Sequence, residues 1–334
     1  MGFAMGEPLI SRGLPGVIAL SVLFLLARSV SASAQETVQE LISECFGADP
    51  GLQPLCLEGA LALQAARGGV GLAAASLGTP VPGSTSTLGW RLASSPRLAF
   101  SVRGGFTRTD MPDPRAGGVD KRTFWARSVE AGVTVGVLDG FALVPTVGGI
   151  FSLDLLGSAA LVGLSDGAGF ADSVEGLGYG VRLGLLRESF TLPGVSVSVA
   201  RRSMTRADWG RADVDQVNLT FEPTVTSVRA AAGKDLLAFG VLGGWGWERY
   251  SGSTVLAVRE TLDGLVRTGQ ASSGGFTSDR QLYFGGLSYT FLVLQVSAEG
   301  GYATGWAEVQ GRPADGHDPT KGSLFGSVAG RLTW

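Results

Sequence analysis

The chain has 334 residues, 52 of them glycine, with 16% charged residues and a formal net charge of −3. That balance gives no basic footprint for nucleic acid, and 45% hydrophobic residues beside so few charges is unlike a water-soluble domain. Past the first 34 residues no uninterrupted apolar run reaches the ~20 residues that a helix needs to cross a bilayer, so a bundle of spanning helices is excluded as well.

Residues 1–34 read as a secretory signal peptide, with Leu14 to Leu26 as the apolar core and Ala32-Ser33-Ala34 as a small-residue cleavage site before Gln35. The core is too short for a membrane anchor, and no cysteine follows it closely enough for lipid attachment. Residues 35–68 form a separate helical segment. Val38, Leu41, Ile42 and Cys45 recur at helical spacing, Ala48-Asp49-Pro50-Gly51 breaks the run, and Pro54 starts a second helix with Leu57, Ala60 and Leu61 on one face. Cys45 and Cys56 straddle the break. In the oxidising compartment that a secretory signal implies, they are expected to form a disulfide pinning the two helices. The sole histidine, His317, lies far along the chain, so a metal site at the cysteines is not expected.

From Gly69 onward the period changes to two. Val70, Leu72 and Ala74 alternate with small residues, as do Leu88, Trp90 and Leu92. Leu98, Phe100, Val102 and Phe106 then oppose Arg97, Ser101, Arg103 and Thr107. Val129, Val133 and Val135 oppose Ser128, Glu130 and Thr134. Further strands run from Phe141 to Leu153, Leu177 to Leu185 and Val195 to Arg202. A long strand spans Val217 to about Ala232, with a bulge marked by Pro223. Strands at Leu237–Glu248, Arg280–Phe291 and Leu294–Trp306 follow. With the terminal strand the count is about twelve, inside the even-numbered range of bacterial barrels.

Connections alternate in length. Short turns fall at Ala93–Pro96, Leu138–Gly140, Glu188–Gly194, Gly233–Asp235 and near Phe291-Leu292. Longer links fall at Thr109–Lys121, Gly157–Ser173, Ser251–Gly275 and Val309–Lys321, and Thr205–Asp213 is intermediate. The chain closes on Gly322 to Trp334, in which Leu324, Gly326, Val328, Gly330, Leu332 and Trp334 share one face. The other carries Ser323, Ser327, Ala329, Arg331 and Thr333, interrupted by Phe325.

A terminal strand with one apolar and one polar face, ended by an aromatic residue, resembles the C-terminal insertion signal of bacterial outer-membrane β-barrel proteins, with Leu332 and Trp334 as its key positions. The resemblance implies an all-β fold: a transmembrane antiparallel β-barrel of about 12 strands over residues 69–334, preceded by the disulfide-pinned helical segment. It implies a place in the cell outer membrane, lipid as the solvent of the apolar faces, and recognition of the last strand by barrel-assembly machinery. Counted back from a periplasmic Trp334, the short turns fall periplasmic and the long links extracellular, the asymmetry such barrels show. Both mature termini are then periplasmic. A β-sandwich would also alternate, but would carry more charge on its outer face.

If the apolar stripe faces lipid, the other stripe lines the lumen. Its ionisable members are Arg97, Arg103, Glu130, Asp154, Arg182, Arg202, Glu222, Glu248, Glu299 and Arg331. Both signs are present, so no single-sign selectivity ring is expected. These charges either coat a polar channel or pair across a filled interior. Trp90, Trp125, Trp245, Trp247, Trp306 and Trp334 fall near strand ends, where indoles anchor at the headgroup level. His317, between Gly316 and Asp318, sits in a long link as solvated loop chemistry, and the glycine-rich stretches open no helix and so bind no phosphate.

About twelve strands leave an interior between the filled barrels of eight and the open ones of sixteen to eighteen. The leading expectation is a narrow passive channel for small polar solutes, without enzymatic chemistry or cofactor. Residues 35–68 are either a lumenal plug or a periplasmic attachment. The second reading is a structural or adhesive barrel with a filled lumen whose extracellular loops bind a partner. A translocator with a helix threaded through its lumen is the third, and a histidine-dependent hydrolase the fourth. Oligomeric state and selectivity carry no signature.

Overall fold

The structure, a computed structural model, describes residues 37–75, 77–89, 97–116, 120–142, 148–165, 168–171, 173–307, 309 and 317–334. The signal sequence at 1–34, Trp90, Leu92 and the turn at 93–96 lie outside these residues. Helix α1 (Val38–Phe46) starts at Thr37, whose hydroxyl accepts from the Glu40 N–H while the Glu40 carboxylate accepts from the Thr37 N–H. It ends at Gly47, a single 3₁₀ turn follows at Pro50–Leu52, and α2 (Gln53–Ala74) begins. The expected disulfide joins Cys45 to Cys56 across that bend.

Fourteen strands follow among the described residues, numbered along the chain. Ten of them close an antiparallel barrel: β1 (Leu98–Asp113), β2 (Asp120–Leu138), β3 (Ser152–Gly163), β4 (Val174–Leu186), β5 (Gly194–Met204), β8 (Thr224–Leu236), β9 (Phe239–Ser251), β12 (Ser278–Phe291), β13 (Leu294–Ala303) and β14 (Ser323–Thr333). The last strand closes on the first, with Ala99 opposite Thr333 and Arg108 opposite Leu324. The other four, β6 (Ala207–Trp209), β7 (Val217–Phe221), β10 (Thr254–Leu262) and β11 (Leu265–Ser273), form a separate sheet of order β11-β10-β7-β6. They come from the β5–β8 and β9–β12 links, both on the side of the long connections, so the sheet stands at the long-link end.

The twelve-strand expectation therefore gives way to ten. Gly69 to Ala74 continues α2 instead of making a strand. In Gly-Val-Gly-Leu-Ala-Ala every residue is apolar or small, so a helix buried on all sides has no stripe to set it apart from alternation. Leu88 lies in an irregular stretch. The strand placed at Phe141–Leu153 is instead β3, and Phe141 only bridges Ile150. The stretch 217–232 divides at Pro223, which lacks an N–H for the ladder, into β7 of the outer sheet and β8 of the barrel.

α1 lies against β10 and β11 and the first half of α2 against β7 and β10. The Ser272 N–H donates to Glu44 (3.3 Å), and Arg267 pairs with Asp49 at 3.6 Å. The second half of α2 descends into the barrel. There Gly68 admits the Trp306 ring and Gly71 the Tyr250 ring at distances no Cβ would allow. Residues 77–89 then cross the lumen without helix or strand. Leu77 reaches Gly105, Thr87 reaches Ser152, and Gly89 meets Gly136 and Asp139 beside the β2–β3 connection. This is the short-turn end, where β1 starts with Leu98 bonded to Trp334. The described chain thus begins at the end of the barrel opposite Trp334, whereas the sequence placed both termini together.

Candidate functional site

Alternation along each barrel strand divides the wall into two surfaces. Outward, Val102 (61%), Leu177 (72%), Leu287 (65%) and Val328 (59%) are exposed. Phe106, Trp125, Trp245, Tyr283 and Tyr302 share that surface, with no water-soluble layer over them. A closed barrel hides every backbone group from its surroundings, and an apolar outer band edged by aromatic rings is the wall of an outer-membrane barrel. Inward, Asp154 and Glu248 are fully buried, and Arg103, Arg182, Arg202, Arg229 and Arg280 nearly so.

The inward charges hold the threaded segment. An irregular backbone in a confined lumen cannot satisfy its own carbonyls, so each needs a donor from the wall. Arg103 donates to Leu77 O (2.9 Å) and Thr79 O (2.5 Å). Arg229 donates to Gly78 O and to Ala75 O (2.8 Å). Arg182 reaches Ser84 O at 3.1 Å, Arg97 reaches Leu88 O at 3.2 Å, and Arg280 reaches Gly68 O at 2.7 Å. Guanidinium suits this work because its planar fork can serve a carbonyl and a carboxylate together.

Carboxylates complete the pattern from the same wall. Asp154 pairs with Arg182 at 2.6 Å and accepts from the Leu88 N–H at 3.0 Å. Glu299 lies 3.9 Å from Arg103 and accepts from the N–H groups of Thr79 (2.7 Å) and Gly83 (3.0 Å). Glu248 pairs with Arg229 at 2.5 Å and accepts from the Tyr250 hydroxyl, to which Arg280 also donates. Gly78 has φ +87°, and a Cβ there would fall 1.9 Å from Glu299 Oε2, so any other residue would be strained and would displace that carboxylate. On the helix itself, Arg67 donates to Phe276 O at 2.7 Å and Ser278 Oγ at 3.0 Å, tying α2 to the long-link end of the wall.

Beside Pro80, a cavity of about 30 Å³ is bounded by Glu130, Arg202 and Arg229, room for no more than a water or two. Higher up, α2 buries Glu58, whose Oε2 has no hydrogen-bond partner among the described residues. Burial pushes that carboxyl above its ordinary value.

Of the ten residues assigned to the lumen from sequence, Arg103, Glu130, Asp154, Arg182, Arg202, Glu248 and Glu299 are buried inside the wall. Arg97 sits at the short-turn end on Leu88 O. Arg331 faces inward nearby, with Nε and Nη1 buried and without a partner among the described residues. Glu222 is elsewhere: exposed between β7 and β8, it accepts from Ser253 at 3.1 Å. Trp306 is not on the lipid face but packs on Tyr250 (5.4 Å) and under Arg280 (4.9 Å). Leu332 and Trp334 face outward, Trp334 against Phe100 at 5.8 Å. His317 is buried, and no group of three metal-ligating side chains occurs among the described residues. Arg229, Arg280 and Tyr250 were missed although they share the inward phase of β8, β12 and β9. Arg67 had no such signal, because nothing in the sequence says that its helix enters the barrel.

No protein-family model matches the chain, and no curated protein matches it. Among solved structures, the outer membrane protease OmpT from Escherichia coli aligns over 75% of this chain and 100% of its own, at 9% identity and a TM-score of 0.36. The translocator domain of the autotransporter NalP from Neisseria meningitidis aligns over 73% and 90%, at 10% identity and 0.34. An outer membrane channel from Pseudomonas putida F1 aligns over 76% and 99%, at 9% identity and 0.34. Nothing about this chain's activity follows from likenesses this distant.

Proposed function

We propose that this protein is an outer-membrane barrel closed by its own N-terminal segment, which carries a disulfide-pinned helical cap and a four-stranded sheet on the outer face of the cell. The observation that carries the reading is the set of wall arginines bonded to the carbonyls of residues 68–88. Channel-lining charges would face water, whereas these face backbone. With the long links taken as extracellular, α1 and the outer sheet stand outside, and the structured surface they make is what the protein presents. The reading includes no covalent chemistry.

A narrow passive channel is the alternative. The observation favouring it is that residues 77–89 form no helix or strand and make no backbone ladder with the wall among the described residues, so their withdrawal would open a polar lumen. Single-channel recording separates the two. The refolded mature protein in a planar bilayer is expected to be silent. Steady conductance from the intact protein would overturn the closed reading in favour of the channel.

A further inference from the structure

The lipid-facing wall has a groove of about 660 Å³ where β14, β1 and β2 meet. Its floor is backbone, because Gly104 and Gly326 put no side chain over it, and a Cβ on Gly104 would meet nothing within 4 Å. Phe106, Trp125 and Val328 form its apolar sides. Arg127 stands at its rim, directly across the ladder from Phe106 and level with Gly163, the last residue of β3. Arg127 faces outward and has no hydrogen bond or ion pair among the described residues. Arg108 lies 6.0 Å from the Trp125 ring, on the same side.

An unpaired arginine on the lipid face is costly in the middle of a bilayer and cheap only near the interface. Trp125 and the end of β3 set the height of Arg127 at the long-link interface, where lipid phosphates lie. A bidentate guanidinium–phosphate contact would neutralise it there. We propose that this groove binds a phosphate-bearing membrane lipid, its headgroup on Arg127 and Arg108 and an acyl chain over Gly104 and Gly326. The proposal rests on the outer-membrane reading above.

The test uses the mature protein reconstituted in vesicles of equal parts phosphatidylglycerol and phosphatidylcholine, then extracted into mild detergent for native mass spectrometry. Heat-dependent gel migration and protease protection in the same vesicles report insertion separately, so failure of the membrane reading shows there first. Phosphatidylglycerol is expected to stay bound in preference to phosphatidylcholine. The preference should fall roughly thirtyfold in Arg108→Gln/Arg127→Gln, as removal of two cations near a charged surface would give. Gly104→Leu, which fills the groove and keeps both charges, should lower retention of either lipid. Equal retention of the two lipids by the wild type would overturn the proposal, as would displacement by inorganic phosphate. So would a dimer mass lost on Gly104→Leu, because the groove would then seat a second copy.

Discussion

At Asp154 three requirements meet in one carboxylate. It neutralises Arg182, it accepts from the Leu88 N–H, and through Arg182 it fixes the Ser84 carbonyl. Breaking a buried pair on one side strands the other charge, at about 3–5 kcal/mol. Asp154→Ala is therefore expected to lower unfolding stability in vesicles by that order, measured by urea titration, and a loss under about 1 kcal/mol would show that the pair behaves as a solvated one. The inward identity of Asp154, Arg103 and Glu299 was legible because a strand alternates. What they bind was not, since a wall arginine facing water and one facing a carbonyl have the same sequence. Arg67 shows the limit from the other side: it belongs to the network only because its helix enters the barrel.

At the level of elements, α2 serves two environments. Its first half rests on the outer sheet, with Gly59 under Leu256 and Val217, and its second half is ringed by the barrel. Glu58 marks the first half and carries a pH dependence. Burial raises its folded value above the ~4.3 of an unfolded glutamate. A raised carboxyl contributes stability that is present below the unfolded value and lost as pH rises through the folded one. The cap should thus be more stable near pH 4 than near pH 7 on this group alone. Glu58→Gln should remove that difference and stabilise the cap at neutral pH, read by thermal unfolding in near-ultraviolet circular dichroism. Parallel profiles for the two proteins would rule it out. The α1 helix and the disulfide could be read from spacing and from two cysteines. The end of α2 could not, because Gly68 to Ala74 lacks any polar residue to reveal its period.

For the whole molecule, the sequence led to a barrel through alternation, turn lengths and the last strand, and it overcounted at Val70–Ala74, which is helix, and at Leu88, which is irregular. Residues 77–89, rich in Gly, Pro, Ser and Thr, carry no period that reveals their path, because their backbone groups are satisfied by residues 9 to 220 positions away, with Arg97 and Arg103 donating to carbonyls and Glu299 accepting from an N–H. The outer sheet was hidden for a related reason: β10 pairs with β11 on one side and with β7 on the other, inside what looked like one long loop and one long strand. The fold that results is a barrel threaded by its own chain from the long-link end to the short-turn end. The closed, surface-presenting role proposed for it depends on that path.

A cross-link tests the path most directly. Thr87 and Ser152 touch through their hydroxyls at the short-turn end of the lumen. Thr87→Cys/Ser152→Cys, refolded in vesicles and oxidised, is expected to form a second disulfide in essentially every heat-modifiable, folded molecule. A folded barrel in which these two cysteines stay reduced would place the segment outside the lumen and contradict the closed reading.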